Sequence, residues 1–350
     1  MKKERVVVIC PGRGSYNREE LGYLKKYSSS FAKQQQQLDV WRKERGEPTI
    51  SELDGAASFS AAVHTPGENA SILIHACAMA DFQAIDRERF DIVAVTGNSM
   101  GWYLALAAAG AADEKSAFTI VNTMGSMMKG GVVGGQLIYP LTDENWHIDP
   151  KKVKLVDDAL HSVNSSGAGA VYHSIRLGGF AVIGGDENGL RKLLKDLPPV
   201  DERYPMRLIN HAAFHTPVLE GVSAKAFEVL GAELFGRPKI PMIDGRGQIW
   251  QPYATDLAKL REYTLGHQVC RTYDFTQSIT VALKEFAPDR LILLGPGSTL
   301  GGSIGQILIK NRWKDISSKS IFSETQEKEP FLLAMGRKEQ WAKVVAKNFL

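Results

Sequence analysis

The sequence predicts an α/β protein: a large domain on a mainly parallel sheet, interrupted by a small ferredoxin-like subdomain. Three observations predict it. The runs Val6 to Cys10, Ile92 to Val95 and Arg290 to Leu294 are apolar or nearly so, without polar alternation, as in strands buried on both faces. Alanine-rich stretches, Ala70 to Ile85 and Leu104 to Ala112, supply helices to cover such a sheet. Between Gln136 and Ile209 the pattern reads strand, helix, two strands, helix, strand, the order of a split βαβ unit.

Val6 to Cys10 ends at Pro11-Gly12-Arg13-Gly14-Ser15. A Gly-x-Gly after a strand invites a dinucleotide reading, but Asn17 stands at the third glycine position and no ribose-binding acid follows, so that reading is set aside. Glu19 to Arg45 reads as surface helices, and His75 in the next helix as a core or cap residue. Asp91 to Ala105 then carries Gly97-Asn98-Ser99-Met100-Gly101 between a buried strand and a helix. In that context G-x-S-x-G is the nucleophile elbow of α/β-hydrolase-like sheets, in which the glycines remove side chains where strand and helix crowd and the serine oxygen projects. The bland alternative is a glycine-bracketed turn whose serine caps the helix. Glu114 to Lys129 is a helix bearing Met124, Met127 and Met128, which are core filler or the lining of an acyl pocket.

After the inserted unit comes His211-Ala212-Ala213-Phe214-His215-Thr216-Pro217, opening a helix of about five turns out to Leu234. His211 and His215 have zinc-like spacing, yet Ala212 stands where a zincin carries its glutamate and no third ligand is evident, so no metal is expected. Thr216-Pro217 reads as an N-cap and first helical residue, which puts His215 just before the helix and free to face a pocket. Lys239 to Ile243 reads as a strand and Asp274 to Glu285 as a helix, and the glycine-rich loop after Leu294 lacks the Lys-Ser/Thr pair of a P-loop. Glu329 to Leu350 reads as a docked terminal helix. The division expected is 1–130 with 210–312 as the large domain, 131–209 as the subdomain and 313–350 as a helical extension.

With 350 residues, 44% hydrophobic and 23% charged, the composition is that of an ordinary globular protein. A net charge of +3 with no dense basic block gives no reason to expect nucleic acid, and no apolar run reaches the length of a membrane span. Three separated cysteines without a CxxC read as buried free thiols, and Val6 to Cys10 is too short for a signal sequence. The expectation is a cytoplasmic monomer.

Four separated motifs together resemble the malonyl-CoA:acyl-carrier-protein transacylases and the acyltransferase domains of polyketide synthases. Pro11-Gly12-Arg13-Gly14-Ser15 resembles their Pro-Gly-Gln-Gly-Ser loop, and Gly97-Asn98-Ser99-Met100-Gly101 their Gly-His-Ser-Leu-Gly elbow. Ala213 to Pro217 resembles the segment with their histidine, and Leu293-Leu294-Gly295-Pro296-Gly297 a late strand end. The resemblance spans roughly residues 5 to 312 and includes the inserted subdomain. It implies an acyl-CoA:acyl-carrier-protein S-acyltransferase with Ser99 as nucleophile and His215 as base. The N–H groups of Arg13 and Met100 would form the oxyanion hole, and the Gln268 carbonyl would orient the histidine. No bound cofactor is implied: acyl-CoA is the substrate, and the phosphopantetheine of an acyl carrier protein, the partner, is the acceptor. Arg13, Asn98, Met124, Met128 and Phe214 are the expected acyl-pocket residues.

Three departures bear on substrate. Asn98 replaces a histidine, Arg13 a glutamine, and Met124 an arginine that in malonyl-specific members pairs with the free carboxylate. Met124 alone favours a neutral acyl group packed on the methionines, whereas an Arg13 side chain turned into the pocket would restore a cation. A thioester hydrolase of the same fold and a non-enzymatic carrier-protein binder are the alternatives. The intact serine and histidine argue against the latter.

Overall fold

The computed structural model describes residues 2–27 and 29–349. Its strands are β1 Glu4–Cys10, β2 Phe90–Gly97, β3 Gly135–Pro140, β4 Val171–Leu177, β5 Phe180–Gly185, β6 Met206–Leu208, β7 Met242–Ile243, β8 Ile249–Trp250, β9 Tyr273–Asp274, β10 Arg290–Leu293 and β11 Leu332–Ala334. Six form the large sheet in the order β11-β10-β1-β2-β7-β8, parallel except for the terminal β7/β8 pair. The expected α/β architecture is therefore present. Val6 to Cys10 and Leu291 to Leu294 are at most 1% exposed, as strands covered on both faces must be. Helix Gly67–Ala84 buries most of its length, including His75, whose pKa burial pushes down to about 4. The three cysteines are buried and free.

The second sheet runs β6-β3-β5-β4-β9. Its first four strands, with helices Pro150–Ser165 and Glu187–Asp196, make the βαββαβ unit antiparallel throughout, with a small core of its own around Leu137, Ile183 and Leu190. β9, from beyond the expected subdomain, adds a parallel fifth strand to β4.

Local pattern misled in four places. Glu329 to Leu350 is not a terminal helix: Leu332–Ala334 pairs with β10, and only Lys338–Trp341 and a last 3-10 turn, Lys347–Phe349, are helical. Hence 313–350 is not a purely helical extension. Five apolar residues, Phe331 to Met335, are 1–4% exposed, and a run so short is read equally well as strand or helix until a neighbouring strand is known. The helix expected to reach Leu234 is a 3-10 turn, Pro217–Leu219, followed by Glu220–Val229, with Gly231 beyond its end. Of Lys239 to Ile243, only Met242–Ile243 is strand. The segment after Arg18 is not all surface: Leu24, Tyr27, Phe31 and Arg42 are buried, the last hydrogen-bonded to Asn69 and Asn122.

No described helix is long and apolar enough to cross a membrane.

Candidate active site

β1 and β2 end level, Cys10 opposite Gly97, so the loops that leave them are neighbours. Glycines let those loops touch. A Cβ on Gly97 would lie 2.3 Å from the Gly101 carbonyl carbon, and one on Gly101 would lie 2.4 Å from the Cys10 oxygen. A Cβ on Gly12 would fall 2.8 Å from the Asn98 oxygen. Between them Ser99 is held at φ 54°, in the left-handed region that a non-glycine residue adopts only under constraint from its surroundings.

The histidine arrives on the loop that follows β6. The Phe214 carbonyl accepts hydrogen bonds from Ser174 on β4 at 2.7 Å and from the Gln136 side chain on β3 at 3.4 Å. The His215 N–H donates to the Val269 carbonyl at 2.9 Å, and His215 itself sits at φ 58°. The inserted subdomain thus holds the loop that delivers this ring. Ser99 Oγ is 2.7 Å from His215 Nε2, and His215 Nδ1 is 2.5 Å from the Gln268 carbonyl. A carbonyl only accepts, so the proton of the neutral ring is on Nδ1, and Nε2 is free to accept from Ser99. Burial pushes the His215 pKa down to about 4, opposed by the bond to Gln268, so the ring is neutral at pH 7.

Gln268 does more than the sequence reading assigned to it. It follows a single π-helical turn, Tyr263–His267, of the kind that recurs at functional sites. Its side-chain amide donates to the Ser99 carbonyl at 2.9 Å, and its Oε1 accepts from Tyr103 Oη at 2.9 Å. Tyr273 Oη donates to the Gly97 carbonyl at 2.6 Å, and its ring centroid is 5.3 Å from that of His215. Neither tyrosine was singled out from sequence. Tyr103 lies four residues after Ser99, one helical turn on, and that spacing was the only available signal.

A cavity of about 50 Å³ opens beside Ser99, and Arg13, Met100, Met124, Met128, Phe214 and Gln268 are among the residues that line it. Asn98 does not line it; the residue is 8% exposed, and its Oδ1 has no partner among the described residues. Among the described residues the N–H groups of Met100 and Arg13 donate to no backbone carbonyl, which leaves both available to a ligand. His211 is not part of the dyad. Its Nδ1 is 2.9 Å from Gln136 Oε1, and burial, with Arg13 and His215 adding to it, pushes its pKa down to about 3. No group of three or more His, Cys, Asp or Glu residues is placed to hold a metal ion among the described residues.

Solved structures with this architecture are known. An acyl-carrier-protein S-malonyltransferase from Burkholderia pseudomallei superposes with a TM-score of 0.73 over 97% of this chain and 98% of that one, at 20% identity. The chain has the fold of the malonyl-CoA:acyl-carrier-protein transacylases. The malonyl-CoA:acyl carrier protein transacylase from Xanthomonas oryzae gives a TM-score of 0.72 at 19% identity, covering 98% of both chains. A type II PKS acyl-carrier protein in complex with its malonyl-transacylase matches with a TM-score of 0.72 at 18% identity, covering 98% of this chain and 99% of that one. In sequence, the polyketide biosynthesis malonyl CoA-acyl carrier protein transacylase PksC of Bacillus subtilis is 28% identical over 221 residues, 61% of this chain and 68% of that protein. No family model matches the chain. The resemblance to the transacylases read from the four motifs is borne out.

Proposed function

We propose that this chain is an acyl-CoA:acyl-carrier-protein S-acyltransferase that works through an acyl-serine. The observation that carries the reading is the line Ser99 Oγ, His215 Nε2, His215 Nδ1, Gln268 carbonyl, with spacings of 2.7 and 2.5 Å, at an elbow with two unused N–H groups. The malonyl-CoA and acyl-carrier-protein activities printed for its sequence relative and structural neighbours support the substrate classes.

In the first half-reaction His215 Nε2 takes the Ser99 proton as Oγ bonds to the thioester carbon. The oxyanion is received by the N–H groups of Met100 and Arg13, the former at the start of helix Gly101–Ala108. The C–S bond then breaks, and the proton on Nε2 passes to the departing CoA sulfur. In the second half-reaction the phosphopantetheine thiol gives its proton to Nε2 and attacks the acyl-serine, and Ser99 leaves with that proton. A single nitrogen serves both directions because the Gln268 carbonyl keeps the other one protonated.

Intact-mass analysis after incubation with a short acyl-CoA tests this reading. One acyl group on Ser99, discharged to a holo carrier protein faster than to water, is expected. An acyl-serine that water clears at the same rate with and without carrier protein would make the chain a hydrolase, and no acyl-serine at all would reject both.

A further inference from the structure

We propose that a second cavity, enclosed by four helices and with the His75 ring in its wall, binds a small neutral alcohol with an aromatic body, of which phenol is the simplest case. This site is separate from the catalytic one.

The cavity, of about 280 Å³, lies where helices Ala32–Glu44, Gly67–Ala84, Gly101–Ala108 and Glu114–Ser126 come together. It shares no lining residue with the cavity at Ser99. The two lie one turn apart on the same two helices: Ser71 and Tyr103 line the catalytic cavity, and His75 and Ala107, each four residues on, line this one. Its walls are apolar, with Phe31, Leu38, Met79, Phe82 and Ala117 among them. Apart from His75, the polar side chains that line it are Gln34, Gln83 and Glu114. Gln83 and Glu114 are exposed and Gln34 half-buried, so these three stand where the cavity meets solvent.

His75 supplies the polar contact inside. The residue is 3% exposed, its ring lines the cavity, and Nδ1 has no hydrogen-bond partner among the described residues. Another buried histidine shows the usual arrangement: both ring nitrogens of His64 lie against main-chain carbonyls, at 2.9 and 3.0 Å. A buried polar group without a partner is costly, and a water bound there would need two or more polar partners that apolar walls do not supply.

The surroundings select the ligand. No lining residue is a cation, and the Glu114 carboxyl stands at the mouth, its pKa raised by burial with Lys33 opposing, so an anion is excluded. An ammonium would leave water for apolar walls and a ring that is itself neutral at pH 7, since burial pushes the His75 pKa down to about 4. A hydroxyl both donates and accepts, and so matches either tautomer of that ring. Phe31, Phe82 and the Met79 thioether suit an aromatic body, through edge-to-face and sulfur contacts. An apolar cavity of about 150 Å³ admits benzene, so a single substituted ring is within the capacity of this one.

The test uses phenol and toluene as probes on the full chain, with affinities from titration and the His75 ring nitrogens followed by NMR. Both probes are expected to bind at millimolar concentration, and phenol to move a His75 ring-nitrogen resonance far more than toluene. His75→Leu is expected to weaken phenol relative to toluene by roughly 3- to 10-fold, the worth of one hydrogen bond. That ratio is not moved by a change in folded fraction. His75→Gln, which keeps a donor and an acceptor, is expected to lie between His75→Leu and the wild type. No binding of either probe, phenol binding that leaves the His75 ring unshifted, or a ratio unchanged in His75→Leu would each overturn the inference. If His75→Leu does not fold, the wild-type ring shifts decide it.

Discussion

Ser99 and His215 are 116 residues apart, both lie at positive φ, 54° and 58°, and they meet at 2.7 Å. Each is held in a backbone conformation that costs of order 1–3 kcal/mol outside glycine. The surroundings that hold them differ. Glycine contacts between the loops after β1 and β2 fix the serine, while hydrogen bonds from β3 and β4 to the Phe214 carbonyl and from the His215 N–H to the Val269 carbonyl fix the histidine.

Removing either side chain separates chemistry from folding. Ser99→Ala is expected to abolish acyl-enzyme formation with the melting temperature nearly unchanged, because Ser99 is partly exposed and its side chain fills little of the core. His215→Ala is expected to slow loading by about 10² to 10⁴, the usual contribution of a general base, and His211→Ala far less. Single-turnover loading rates measure both. Equal losses from the two histidines would mean that the base is misassigned.

The Tyr103–Gln268–Ser99 chain predicts a positioning effect. Tyr103→Phe releases Gln268 Oε1, and Gln268→Ala releases the Ser99 carbonyl while keeping the main-chain carbonyl on His215. Each is expected to lower the loading rate about 10-fold, and the double variant no further than Gln268→Ala, because Tyr103 acts through Gln268. Additive losses in a double-mutant cycle would show two independent roles.

Acid should affect rate and stability over different ranges. With its pKa near 4, His215 is expected to keep loading flat from pH 8 to about 5 and to lose it as pH approaches 4. His75, His211 and His215 have folded pKa values near 4, 3 and 4, below the value of about 6.5 in an unfolded chain. Below pH 6.5 the unfolded chain therefore binds protons that the folded chain refuses, and stability falls with pH from there until about pH 3 to 4. Melting temperatures from pH 8 to 4 check the sign; a rise on acidification would contradict it.

At the elbow, Gly97→Ala is expected to prevent folding or to destabilise by more than about 4 kcal/mol, because its Cβ would sit 2.3 Å from a main-chain carbon that cannot move without unseating Ser99. Gly221→Ala, with nothing within 4 Å, should change the melting temperature little and serves as the control. A folded, active Gly97→Ala variant would show that the elbow relaxes.

The α/β class, the elbow with Ser99 and the βαββαβ order were legible in the sequence, because each is carried by local pattern, apolar runs and glycines at fixed offsets, whereas the pairing of His215 with Ser99 was implied by the resemblance to the transacylases. Non-local pairing was not legible. Leu332–Ala334 became an edge strand only because β10 has an open side to receive it, and the helical run begun at Pro217 ended at Val229. Gln268 was placed by resemblance, but its grip on the Ser99 carbonyl depends on a π-turn that no propensity encodes. The direction of the Arg13 side chain was open for the same reason. A sequence states that a guanidinium is present; only the carbonyls of Thr65 and Asn210, brought together from positions 145 residues apart, hold it over the Phe214 ring.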